Sequence, residues 1–174
     1  MPESQQSELG SFMIVRKILS TPNNVVLDVG CGEGKWGRLL KDKVDVIDGI
    51  EVWQPYIDKY DLTSYYDTLY NTDARKFVYE KKYNIAILGD VLEHMPQKDA
   101  ILFLNNLKAA VDTIFLTIPV TVCIQDGNLI GNPFETHHYH WSDKEIRFEL
   151  GFTLLNVSVN DNGLVAIGCY EWYK

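Results

Sequence analysis

A glycine-rich segment follows a short apolar run in the first quarter of the sequence. The run, residues 25–29, reads Val-Val-Leu-Asp-Val, and such β-branched composition is typical of a buried strand. Gly30, Gly32 and Gly34 follow at once, and residues 35–43 have a composition that suits a helix. Glycine lets a ligand approach the main chain closely, and the first turn of a helix carries N–H groups without intrahelical partners. The segment therefore predicts a strand–turn–helix site for a polar ligand.

Two kinds of ligand fit this loop. The spacing Gly32-x-Gly34-x-x-Gly37, with Glu51 downstream at the distance used for a ribose, satisfies the dinucleotide fingerprint. Asp28, however, lies inside the strand before the first glycine, and a carboxylate there suits a ligand with an ammonium group better than a pyrophosphate. The loop by itself is therefore also compatible with an NAD-dependent oxidoreductase.

Acidic side chains recur where the predicted strands end. Asp28 lies near the end of the first strand, Glu51 follows the second, Asp73 the third and Asp90 the fourth. In doubly wound sheets, ligands bind beyond the carboxyl ends of the strands, at the point where the strand order reverses. We therefore expect these carboxylates to border one cleft.

The sequence contains four histidines, and three of them lie together in the segment 120–141. A histidine with a pKa near 7 can accept a proton from a hydroxyl or amine that is about to react. We therefore take His94, His138 and His140 as the candidate catalytic residues, with His137 as their neighbour. The competing interpretation is that these side chains pack against the aromatic residues around them.

Strands and helices alternate through the first two thirds of the chain. Apolar runs predict five strands, and periodic apolar positions predict helices between them. The strands are expected at residues 25–29, 44–51, 66–70, 83–88 and 113–118, and the helices at 35–43, 55–60, 75–81 and 97–111. This alternation predicts a parallel, doubly wound α/β sheet.

The last part of the chain has a different pattern. A capping box of Ser and Glu three residues apart predicts a helix over residues 142–150. Two strands are expected at 152–159 and 164–172, joined through the Asn-Gly hairpin signal in residues 160–163. The sequence thus predicts a mostly parallel seven-stranded sheet that ends in an antiparallel hairpin.

Chain length and loop length set the expected organisation. With 174 residues the chain is expected to form one domain, residues 1–174. An amphipathic helix at about 7–19 is expected to cover the cofactor site or an edge of the sheet. The segment 120–141 is too long for a plain connection and is expected to act as a lid.

Charge and cysteine content narrow the classes of partner. Lys and Arg number 16 against 24 Asp and Glu, so the net charge of −8 does not suit a general binder of nucleic acid or anionic membrane. Cys31, Cys123 and Cys169 form no Cys-x-x-Cys pair, which argues against a disulfide framework or a zinc site. We expect a cytoplasmic protein without a membrane-spanning segment.

Two motifs carry a resemblance to a known family. Residues 27–34, Leu-Asp-Val-Gly-Cys-Gly-Glu-Gly, closely resemble the first motif of the class I S-adenosylmethionine (SAM) dependent methyltransferases. Residues 89–95 contain Asp-Val-Leu-Glu-His and resemble the fourth motif of many small-molecule members, including the quinone-biosynthesis O-methyltransferases. The expected hairpin at the end of the chain also matches the Rossmann-like methyltransferase fold. The resemblance implies SAM as the cofactor.

The resemblance also implies which residues hold SAM. The glycines would line its methionine and ribose portion, Glu51 would accept the ribose hydroxyls, and Asp73 would accept the adenine amino group. Asp28 and Asp90 would face the ammonium end. The residues expected to bind the cofactor are Asp28, Gly30, Cys31, Gly32, Gly34, Glu51, Val52, Trp53, Asp73, Ala74, Gly89 and Asp90.

We therefore expect methyl transfer from SAM to an oxygen or nitrogen atom of a small-molecule acceptor, without a metal and without nucleic acid as a partner. The same residues also permit a metal-dependent reaction, because Asp90-x-x-Glu93-His94 resembles the Glu-x-x-Glu-His metal site of small-RNA 2′-O-methyltransferases. In that case one of the histidines His137, His138 or His140 would complete the site. An NAD-dependent oxidoreductase and a SAM-binding module without turnover are two further functions that the sequence permits.

Overall fold

The computed structural model describes residues 7–159 and 163–174. Within these residues, seven strands form one sheet in the order β3-β2-β1-β4-β5-β7-β6. The strands are β1 (Val25–Val29), β2 (Val46–Ile50), β3 (Thr68–Tyr70), β4 (Ile85–Gly89), β5 (Thr113–Pro119), β6 (Thr153–Val159) and β7 (Ala166–Tyr173). The predicted seven-stranded α/β sheet is confirmed.

The pairing of the strands explains where a ligand can bind. Strands β1 to β5 pair in parallel, whereas β7 is antiparallel to both β5 and β6. The strand order reverses between β1 and β4, so a crevice opens beyond their carboxyl ends. Of the hairpin turn predicted at 160–163, residues 160–162 lie outside the described part of the chain.

Four α-helices accompany the sheet in the described ranges: α1 (Ser7–Ser20), α2 (Lys35–Leu40), α3 (Gln54–Lys59) and α4 (Gln97–Ala110). The sheet is buried on both faces, because neighbouring residues of β1 point into two separate cores. Val26 packs with Ile14 and Ile18 of α1, and Leu27 packs in the other core with Leu104 of α4. Helix α1 thus covers one face of the sheet. None of the helices in the part of the chain that the structure describes is long and apolar enough to span a bilayer.

Two predicted helices take another form. Residues 75–81 contain only a 3₁₀ turn, Ala74–Lys76, after which Phe77 packs edge-on against Tyr70 and Tyr79. These aromatic contacts replace the predicted helix. The capping box at Ser142 forms as expected, but it leads into a π-helical turn, Glu145–Glu149, because the Leu150 N–H bonds to the Glu145 carbonyl five residues back.

Helix α4 offers a matched test of this core. Leu104 is 1% exposed and Leu102 is 62% exposed, and both lie in the same helix. We expect Leu104→Ala to lower the free energy of unfolding by about 2–5 kcal/mol, because it leaves a cavity. Leu102→Ala should change it by less than about 0.5 kcal/mol. Urea denaturation measures both, and equal losses would contradict the packing.

Candidate functional site

A cavity of about 290 Å³ lies beyond the carboxyl ends of the central strands. The glycine loop after β1, the ends of β2 and β4, and the returning segment 120–141 enclose it. The sequence-predicted residues that line it are Gly30, Gly32, Glu51, Val52, Asp73, Ala74, Gly89, Asp90 and His94. The structure therefore brings most of the predicted cofactor residues to one place.

Glu51 joins the glycine loop to the end of β2. Its Oε2 atom accepts the Gly32 N–H at 2.9 Å, and its Oε1 atom accepts the Trp53 N–H at 2.7 Å. Burial raises the pKa of the Glu51 carboxyl, while these two N–H donors act in the opposite direction. The carboxylate is thus held in a fixed orientation at the wall of the cavity.

The glycine loop leaves room for a ligand. Gly32 has a φ of 52°, and a Cβ atom built there would meet nothing within 4 Å. Gly30 differs, because at a φ of 71° an added Cβ would lie 2.8 Å from Val91. Gly32 therefore exposes its main chain to open space, while Gly30 is required for packing under the loop.

Asp73 lies on the wall formed by the end of β3. Its carboxylate accepts hydrogen bonds from the backbone N–H and the side chain of Arg75, with the closest side-chain contact at 2.6 Å. The Arg75 guanidinium holds the pKa of Asp73 below its ordinary value. Asp73 therefore stays ionised, and its neighbour Ala74 lies in the same wall.

Four predicted cofactor residues lie outside the cavity lining. Asp28 is fully buried, and its Oδ2 atom accepts the Tyr66 hydroxyl at 2.6 Å. The Cys31 thiol points to the Asp28 carbonyl, and burial raises its pKa well above the ordinary value. Gly34 precedes α2, and Trp53 packs its ring against Phe134. The Asp28 side chain thus bonds to a tyrosine of the protein itself, and its contact with a ligand stays a prediction.

The end of β4 carries a buried carboxyl beside Asp90. Glu93 is 2% exposed, and neither of its side-chain oxygens has a hydrogen-bond partner among the described residues. Burial, and after it the charge of Asp90, raises the pKa of Glu93. The Glu93 carbonyl accepts the N–H groups of His138 and Tyr139, which anchors segment 120–141 against this end of the cavity.

The histidines divide into two pairs. His94 and His137 line the cavity, with ring centroids 4.9 Å apart. Burial and the neighbouring His137 lower the pKa of His94 to about 4, and burial also lowers the pKa of His137. Both imidazoles are therefore neutral at pH 7. His138 and His140 are exposed and lie outside the lining, because exposure alternates along residues 137–141. A general-base role for His94 stays a prediction.

Three of these side chains form a possible metal site. One ligand atom from each of Glu93, His94 and His137 lies within 4.8 Å of the others. A carboxylate and two neutral imidazoles are donors that divalent transition metals accept. The sequence pattern led us to expect no metal, whereas the fold assembles this donor set in the described part of the cavity.

Other lining residues were not among the predicted site residues. Glu135 lies 3.9 Å from His94 and accepts a hydrogen bond from Gln125. Tyr56 and Asn132 also line the cavity. Glu135 and Asn132 lie in the irregular segment 120–141, and Tyr56 lies on a partly exposed face of α3. A periodic pattern of apolar residues does not predict that such positions line a cavity.

Comparison with known proteins settles the family. The model of a methyltransferase domain family matches residues 12–146, which is most of the chain. The chain belongs to this methyltransferase family. The predicted class I SAM-dependent methyltransferase is thereby confirmed, and the family match does not support an oxidoreductase. No curated protein sequence matches the chain.

Solved structures with the same fold are distant in sequence. Magnesium protoporphyrin IX methyltransferase (ChlM) from Synechocystis PCC 6803, with bound S-adenosylhomocysteine (SAH), is 18% identical with a TM-score of 0.67, over 95% of this chain and 80% of that one. The N-methyltransferase NodS from Bradyrhizobium japonicum WM9, in complex with SAH, is 11% identical with a TM-score of 0.74, over 99% and 89%. The small RNA methyltransferase HEN1 is 16% identical with a TM-score of 0.68, and this chain spans 29% of it.

The residues of this methyltransferase fit SAM as the cofactor. The open space at Gly32 admits a ligand against the main chain, and the Glu51 carboxylate beside it has two acceptor oxygens for vicinal hydroxyls. Asp73 and Asp90 supply further acceptors in the same cavity. These carboxylate acceptors therefore suit a nucleoside that carries a positive charge.

The buried carboxyl of Glu93 predicts an effect on stability. Burial raises the pKa of Glu93 in the folded state above the ordinary 4.5. The contribution of Glu93 to the free energy of unfolding is therefore most favourable below pH 4.5, and this stability is lost as the pH rises from 4.5 through the raised pKa. We expect Glu93→Gln to raise the free energy of unfolding at pH 8 by about 1–3 kcal/mol, with a smaller gain at pH 5.

Urea unfolding at both pH values, in metal-free buffer, measures this effect. The exposed Glu80→Gln serves as the control and should leave the free energy of unfolding unchanged. A stability of Glu93→Gln equal to that of the wild type at pH 8 would contradict the assignment of a buried carboxyl group without a hydrogen-bond partner.

Proposed function

We propose that this methyltransferase transfers the methyl group of SAM to an oxygen or nitrogen atom of a small-molecule acceptor. The observation that carries the proposal is the Glu51 carboxylate, which is fixed beside the open main chain of Gly32 in a cavity of small-molecule size. The enzymes ChlM and NodS, which share the fold, are named as methyltransferases and were crystallised with SAH, and this supports the same donor here.

When bound, SAM supplies an activated methyl group on a sulfonium. The protein must then hold the acceptor in line with that group and exclude water. Glu51 and the Gly32 main chain are suited to orient the nucleoside, and Asp90 is suited to face its ammonium group. His94 lies in the cavity wall and is neutral at pH 7, so it is placed to accept a proton from the acceptor; burial lowers its pKa to about 4, which makes it a weaker base than a histidine with a pKa near 7.

The lining supports a small and partly apolar acceptor. Phe134, Pro119 and Ile167 contribute apolar surface next to the carboxyl groups of Glu93 and Glu135. Pockets of this mixed character hold compact ligands by burying their apolar part and orienting it with few polar groups. The proposal of a small acceptor rests on this lining and on the negative net charge.

Cofactor binding gives the direct test. We expect Glu51→Ala to weaken SAH binding by at least about tenfold, because two hydrogen bonds to a charged acceptor are lost. Isothermal titration calorimetry measures the affinity. Glu80→Ala, at an exposed position outside the cavity, is the matched control and should bind SAH like the wild type.

Two results would overturn the proposal. One is unchanged affinity of Glu51→Ala for SAH. The other is thermal stabilisation of the wild type by NAD but not by SAH. SAH binding without turnover across a broad panel of hydroxyl and amine acceptors would instead favour a SAM-binding module that does not catalyse transfer.

A second candidate function is metal-dependent methylation of an RNA 2′-hydroxyl. The observation that favours it is the donor set of Glu93, His94 and His137, together with the shared fold of the small RNA methyltransferase HEN1. The net charge of −8 weighs against RNA as the partner. We therefore rank it below the small-molecule proposal.

Titration with Mn²⁺ separates the two candidates. If the second is correct, the wild type binds Mn²⁺, EDTA abolishes methylation of RNA, and His137→Ala weakens metal binding by at least about tenfold. The exposed neighbour His138→Ala is the control and should retain metal binding. No heat of Mn²⁺ binding in the wild type would exclude this candidate.

A further inference from the structure

Tyr66 lies beneath the glycine loop, although it does not line the cavity. Its side chain is 4% exposed and sits between β1, β2 and α2. Its hydroxyl donates to Asp28 Oδ2 at 2.6 Å and accepts the Gly37 N–H at 3.3 Å. One phenolic oxygen thus connects the strand before the loop with the helix after it.

Two glycines leave space for this ring. A Cβ atom at Gly37 would lie 2.7 Å from the ring carbon that bears the Tyr66 hydroxyl, and a Cβ atom at Gly49 would lie 2.9 Å from the same ring. Real Cβ atoms do not approach so closely, so both positions require glycine while the tyrosine is present. The third glycine of the apparent dinucleotide fingerprint therefore accommodates a side chain of the protein itself.

The segment that carries Tyr66 is held on both sides. Asp67 accepts the Ile47 N–H of β2 at 2.8 Å, and it pairs at 2.5 Å with Lys41, the residue directly after α2. The backbone at Tyr66 is therefore held in place, and this fixes the position of the ring and of its hydroxyl group. Such a contact can fix the loop in the conformation that presents Gly32 and Glu51 to a ligand.

We propose that Tyr66, through its hydrogen bonds to Asp28 and Gly37, is a positioning residue that holds the glycine loop in its cofactor-binding conformation. This inference rests on the proposed function for its binding readout. It assigns to Asp28 an indirect role, since its carboxylate orients the tyrosine that supports the loop.

The chain contains a matched control for this pair. Tyr83 is 1% exposed, and its hydroxyl donates to Asp48 Oδ2 at 2.7 Å, where Asp48 is fully buried in β2. Neither residue lines the cofactor cavity. Tyr83→Phe likewise removes a phenolic oxygen from a fully buried carboxylate, which here also pairs with Lys81, so it reports the cost of such a deletion at a site away from the loop.

We expect Tyr66→Phe to weaken SAH binding by about tenfold in calorimetry. Tyr83→Phe should bind SAH like the wild type, although both substitutions lower the melting temperature. In Tyr66→Phe, Asp28→Asn should cause little further loss, because the two side chains act as one unit. Unchanged affinity in Tyr66→Phe, or equal weakening in Tyr83→Phe, would overturn the proposal.

A second readout does not need the cofactor. The Gly32 N–H bonds to Glu51 rather than to Tyr66, so its hydrogen exchange in the free protein reports the loop conformation. NMR should show this amide exchanging about tenfold faster in Tyr66→Phe and unchanged in Tyr83→Phe. If the wild type failed to bind SAH, the proposed function would fall, while unchanged Gly32 exchange would separately reject the positioning role.

Discussion

The site depends on one buried carboxylate that satisfies backbone donors from two parts of the chain. Glu51 stands at the end of β2 and accepts N–H groups from Gly32 in the loop after β1 and from Trp53 in its own loop. Burial makes the charge costly, as its raised pKa indicates, and the two N–H donors offset part of that cost. The loop and the carboxylate therefore fix each other before any ligand arrives.

The lining residues of the cavity come from the ends of several strands and from segment 120–141. Parallel strands deliver Glu51, Asp73 and Asp90 to the same edge, because each follows the carboxyl end of its strand. Segment 120–141 returns over the cavity and is anchored through the Glu93 carbonyl. That return adds Glu135 and His137, so the cavity lining combines carboxyl groups with neutral imidazoles. The cavity is thus lined both by residues at the ends of regular strands and by the irregular segment 120–141.

Features that repeat along the chain could be predicted from it. The glycine loop, the strand-end acids and the antiparallel end of the sheet follow from local composition and from the rules of parallel sheets. Asp28 was placed in the correct strand, yet the direction of its side chain depends on Tyr66, 38 residues away. No periodic signal encodes that contact.

Features that depend on a single-residue register could not be predicted either. Exposure alternates along residues 137–141, but His137 and His138 are the same type of residue, so the sequence does not indicate which of them lines the cavity.

The central claim is that the Glu51 carboxylate and the Gly32 main chain together form the nucleoside site. The most direct measurement is a crystal structure of the protein with SAH. The account predicts that the ribose hydroxyls lie within hydrogen-bond distance of the Glu51 side-chain oxygens, with the ligand against the Gly32 main chain. A nucleoside bound elsewhere, or a Glu51 side chain turned away from it, would contradict the account.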